Sequence, residues 1–186
     1  MTQDPRQGLG KPRKPRTQFR ATQYMVDFGD GPVPGRVHTN PDQTIGGLVA
    51  DTAEVEPSVW MSANSKVFGN ARVFGNARLD DDVKVYGNAR VYGSMLSGEA
   101  EVHGNANIEE ATIGDQARVH GDARVGGGAL IQGQAVVRGQ AKVIGEAVID
   151  GAAVVDESAW IAGGQVTGTA NIGGNTMVRA GEIYST

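Results

Sequence analysis

From Val49 almost to the end of the chain an aliphatic residue or Met returns every six positions, and nothing else in the sequence constrains the fold as tightly. The series begins Val49, Val55, Met61, Val67, Val73, Leu79, Val85 and Val91. It continues through Leu96, Val102, Ile108, Ile113, Val119, Val125, Ile131, Val137, Val143 and Ile149, then Val155, Ile161, Val166, Ile172, Met177 and Ile183. A fixed short period over most of a chain is the mark of stacked, solenoid-like architecture, in which each unit contacts only its neighbours. The hexads beginning at Val91, Ile108, Ile161 and Ile172 are one residue short.

The other positions of the hexad say how each unit is built. The third is usually Gly (Gly69, Gly75, Gly87, Gly104), the fourth often Asn or Asp (Asn70, Asn88, Asn105, Asp122), and the fifth Ala. Gly and Asn accept positive φ, so the Gly-Asn pair predicts a sharp corner. The branched residue and the Ala two places before the next one share a face, as period-two alternation in a strand requires. Each hexad therefore reads as a short strand and a corner, with Val and Ala inward. Composition agrees: 28 Gly and only 5% aromatic residues suit a thin, repetitive core better than a thick globule. The absence of cysteine removes disulfides and thiolate chemistry. No apolar run reaches the ~18 residues of a membrane span, so a soluble chain is expected, unsecreted or released by other means.

The hexads VFGNAR, VYGNAR, VHGNAN and VHGDAR resemble those of hexapeptide-repeat proteins, and the resemblance covers residues 49–183. It implies an all-β fold, a left-handed parallel β-helix of about eight triangular coils with three hexads per coil, and a trimer. At ~4.8 Å per coil the prism would be about 38 Å long. Sorted into three faces, three of the four short hexads fall on the second, which suggests a regular adjustment at one edge.

The second hexad position faces outward and reads Phe68, Tyr86, His103 and His120 down the first face, then Arg138 and Asp156. The preferred reading is a stacking ladder in which imidazole takes the place of phenyl. The rival is an enzyme, an acyltransferase or zinc hydratase using His103 and His120. Family acyltransferases place their His beside a looped-out insertion, which this chain lacks. Family zinc hydratases use three His, two of them five residues apart; here the spacing is seventeen and His38 lies outside the repeat. No catalytic residue, metal or cofactor is therefore expected. Asp80, Asp81 and Asp82 replace one Gly-Asn corner and read as a solvated acidic turn in preference to a Ca²⁺ loop.

The sixth position changes character along the chain, from Lys66, Arg72, Arg78, Lys84 and Arg90 to Leu130, Val136, Val148, Val154 and Trp160. With Ile144 these are the expected trimer interface.

Residues 1–44 lack the period and are expected to form an extended basic arm and a cap over the first coil, with the β-helix occupying 45–186. Arg6, Lys11, Arg13, Lys14, Arg16 and Arg20 against Asp4 give residues 1–20 a charge of +5, so with −4 overall the remainder carries −9. These cations and Phe19 are the expected partner-binding residues. The acidic body opposes nucleic acid, so docking on protein is the stronger reading. Non-enzymatic hexapeptide proteins of this type occur in bacteriophages and bacteria. That implies a trimeric prism anchored by its arm to a virion, as a capsid decoration (minor capsid) protein on the major capsid protein. A tail appendage, or a bacterial scaffold polymerising end to end as bactofilins do, are the alternatives. No membrane partner is expected.

Overall fold

The computed structural model describes residues 24–29 and 31–185. They form an all-β parallel β-solenoid of about eight coils, with no helix. Its three faces are sheets built from every third hexad. The first begins at β3 (Ile45–Ala50), the second at β4 (Glu54–Val55) and the third at β5 (Trp60–Met61). Each strand pairs in parallel with the one a coil away, so Val49, Val67 and Val85 stack in register, as do Val73, Val91 and Ile108. The inward positions are shut off from solvent: Val67, Ala71, Val73, Ala77, Leu79 and Val85 are all 0% exposed.

Every corner turns at the third hexad position. Gly69, Gly87, Gly104 and Gly121 stand above one another with φ of 68° to 73°. A Cβ on Gly104 would lie 2.9 Å from the backbone nitrogen of Gly121, a neighbour that cannot swing away. Three residues other than Gly keep the left-handed backbone at this position and bond across coils: Asp81, Asp115 and Glu157 have φ of 57°, 56° and 56°. Each of these carboxylates accepts the N–H of a glycine one coil on. The bonds run from Gly98 to Asp81 at 3.0 Å, Gly133 to Asp115 at 2.9 Å and Gly174 to Glu157 at 2.6 Å. A charge-assisted bond thus offsets the steric cost of the left-handed conformation. Asp81 is the centre of the acidic turn, and Asp80 bonds Arg78 at 2.7 Å.

The last coil corrects the expected register. Ile161 aligns with Val178, and Val166 with Tyr184, so Val178 and Tyr184 are the inward residues in place of Met177 and Ile183. Val178 is fully buried while Met177 is 40% exposed. Two adjacent apolar residues at each site made the choice ambiguous, and the corners at Gly174 and Gly181, both with positive φ, decide it. The hexad from Ile172 is therefore of full length. The three remaining short hexads all leave the second face, so the omission belongs to one edge of the prism. At the first of these corners Ser94 replaces the usual Ala, and its hydroxyl donates to the Tyr92 carbonyl and accepts from the Ala111 N–H.

A solenoid must also protect its first coil, whose strand edges would otherwise be bare. Residues 24–44 do so with antiparallel strands β1 (Met25–Asp27) and β2 (Pro32–Thr39), which join β3 and extend the first sheet to ten strands. From the loop after β2, buried Asn40 reaches the free edge of β5: its amide donates to the Met61 carbonyl at 3.0 Å, and its oxygen accepts the Met61 N–H at 2.8 Å. Buried His38 bonds the Val59 carbonyl at 2.8 Å through Nε2, which carries the proton because a carbonyl only accepts. The cap is thus part of the prism, and its backbone is held by polar groups that the hexad pattern gives no hint of.

Candidate functional site

The outward columns of the three faces are the surfaces on which this chain can act. On the first face Phe68, Tyr86, His103 and His120 stack at successive coils, with ring centroids 4.8, 4.6 and 4.7 Å apart and planes within 8° of parallel. Phe28, from the turn between β1 and β2, adds a fifth ring 5.0 Å from Phe68. The period could not reveal Phe28; its only signal is an aromatic residue beside a Gly-rich turn. Below His120, Arg138 pairs with Asp156 at 2.7 Å.

This stack sets the electrostatics of the two imidazoles. Partial burial lowers the pKa of His103, and the neighbouring His120 adds to the effect. For His120 partial burial again leads, followed by the Arg138 guanidinium. Both rings therefore favour the neutral form. Facing rings do not aim a lone pair of one at an N–H of the other, so the pair has the geometry of a stack. Among the described residues no group of three or more His, Asp, Glu or Cys is placed to hold a metal ion.

Beside the rings, at the corner between the first and second faces, Asn70, Asn88, Asn105 and Asp122 form a second ladder. Each amide donates to the side-chain oxygen below it, at 3.3, 3.0 and 2.9 Å. The first face also pairs charges between coils: Lys84 and Glu101 lie 2.9 Å apart, with Arg118 at 3.9 Å from Glu101. These columns are satisfied within the chain.

The six expected interface residues do not gather into one patch. Val136 and Val154 stack on the first face, Leu130 and Val148 on the third, while Ile144 and Trp160 lie on the second. The first four are half-buried by their own neighbours, whereas Ile144 and Trp160 are 38% and 40% exposed. Sixth positions share a place in the hexad but rotate around the prism, a distinction that pooling them by hexad position hides. Arg6, Lys11, Arg13, Lys14, Arg16, Phe19 and Arg20 lie outside the described residues.

No family model matches the sequence, and no curated protein matches it.

Proposed function

We propose that this chain is a non-enzymatic structural and interaction protein. In this reading it is a homotrimeric, left-handed β-helical prism tied by its basic N-terminal arm to a larger assembly, a bacteriophage virion whose capsid it decorates. The hand, the trimer and the virion setting follow from the resemblance of the VFGNAR and VYGNAR hexads. The observation that carries the attachment is the cap. Tyr24, where the described chain starts, accepts the Gly35 N–H at 3.0 Å, and β2 is fused to the first sheet through β3. The cations of residues 1–20 are thus tethered to a rigid base, and a tension on the arm is borne by a ten-stranded sheet. The side chains of the first face satisfy one another, which suits a scaffold. The arm's charge suits an acidic protein surface such as that of a shell subunit.

The test is to express the chain with and without residues 1–23 where its assembly forms, and to sediment the large particles. The full chain should travel with the particles and the truncated chain remain in the light fractions. Equal partition of the two would refute anchoring by the arm. A second reading, end-to-end polymerisation, is favoured by the last described coil, where Ile183 and Tyr184 are 65% and 38% exposed and the strand Ile183–Ser185 is paired on one side only among the described residues. Filaments of the purified chain under the electron microscope would replace the decoration reading with this one.

A further inference from the structure

On the second face Arg72 pairs with Glu54 at 3.3 Å in the first two coils, but from the third coil to the sixth the charges do not pair. Arg90, Arg124 and Lys142 occupy its sixth-position column at coils three, five and six, and none has an ion-pair partner among the described residues. Across the same face Glu109 and Glu110 at coil four and Glu146 at coil six are equally without one. All six are exposed. The first face, by contrast, joins Lys84, Glu101 and Arg118, and the third joins Arg78 to Asp80. Between the two columns Gly126 contributes no side chain, which opens a groove of about 980 Å³ bordered by Arg90, Asn107 and Arg124 on one side and Glu109 and Glu110 on the other. The face also exposes Tyr92, Ile144 and Trp160, whereas among the described coil strands of the first face only Ile45, at the start of β3, is an exposed large apolar residue.

We infer that this face is where copies of the chain meet, each placing its Glu109, Glu110 and Glu146 edge against the Arg90, Arg124 and Lys142 column of the next. The inference rests on the homo-oligomeric reading above and assigns it a surface. The order of charges along the prism selects the symmetry. If the neighbour is related by rotation about an axis parallel to the prism, coils meet at equal height. Glu109 and Glu110 of coil four then fall between Arg90 of coil three and Arg124 of coil five, beside Asn107. Glu146 falls opposite Lys142 of the same coil. A two-fold axis perpendicular to the prism would reverse one copy and break this match. In the three-copy reading the acid edge of each chain meets the cation column of the next, a heterologous contact that a three-fold axis parallel to the prism closes into a ring. Equal numbers of acids and cations make the face complementary to itself and a poor match for a polyanion. The aromatic and aliphatic groups supply the apolar contact that charges alone lack.

The experiment measures the mass in solution of the full chain by light scattering, with β-sheet circular dichroism as a check on folding. The chain should contain three copies. Arg90→Glu with Arg124→Glu should reduce it to one copy with the β-sheet signal kept, and adding Glu109→Arg with Glu110→Arg should restore three. Val136→Asp with Val148→Asp should leave three. If the Arg90/Arg124 variant stays at three copies, or the charge swap fails to restore them, the assignment of this face is wrong while the oligomer stands. A wild-type chain of single copies would sink the oligomeric reading itself.

Discussion

The imidazoles of His103 and His120 lie 4.7 Å apart and 5° from parallel, one coil above the other. They continue a column of rings that begins in the cap with Phe28 and passes through Phe68 and Tyr86. A pair that might be read as chemistry is thus the lower end of a stack.

Replacing both His by Phe should preserve the column and leave assembly unchanged. Parallel aromatic pairs contribute about 0.5–1.5 kcal/mol each beyond area burial, so the urea midpoint should hold or rise. A lower midpoint for the double variant at pH 8 would contradict the ladder.

The same pair predicts a pH dependence. Both pKa values are lowered from 6.5 in the folded chain, chiefly by burial, so the unfolded chain binds more protons just below that pH. Their contribution to stability is complete above pH 6.5 and declines as the pH falls through 6.5 toward the lowered values. Urea titrations at pH 8 and pH 5 should show a smaller decline for His103→Phe/His120→Phe than for wild type. Equal declines would remove the two rings as the cause.

Asn40 gives the cap its most demanding test. Asn40→Leu would leave the Met61 N–H and carbonyl at the edge of β5 without their side-chain partners. An unsatisfied buried polar group costs about 1–3 kcal/mol, and a loss in that range is expected from chemical denaturation. A loss within error would mean that the cap does not seal this edge.

At the corners, Asp115→Ala should destabilise more than Asp115→Gly. Both lose the bond from Gly133, but alanine keeps the Cβ in a left-handed backbone, which costs about 1–2 kcal/mol for an L-residue. The two variants compared by thermal unfolding isolate that difference. The reverse order would undermine the account of the non-glycine corners.

Much of this fold was legible because a parallel β-solenoid repeats one physical decision. A branched residue goes in, a glycine turns, an alanine goes in, and errors in one hexad are corrected by the next. The column from Phe68 to His120 was readable for the same reason. Legibility failed where the repeat ends. Met177 and Val178 are adjacent and both apolar, and only the corner at Gly174 separates exposed from buried. A cap over the first coil was expected, but its contacts did not show, because His38, Asn40 and Phe28 act through residues twenty or more positions away. Unpaired charges on the second face were equally hidden. Arg90 and Lys84 look alike in the sequence, yet Lys84 meets Glu101 a coil below and Arg90 meets Asn107.

The central claim is a rigid prism of three chains whose assembly is independent of its attachment arm. Equilibrium sedimentation of the full chain and of residues 24–186 tests it most directly. Both should give the mass of three chains, unchanged across protein concentration. A single-chain mass for either, or a mass that grows without limit as concentration rises, would contradict it.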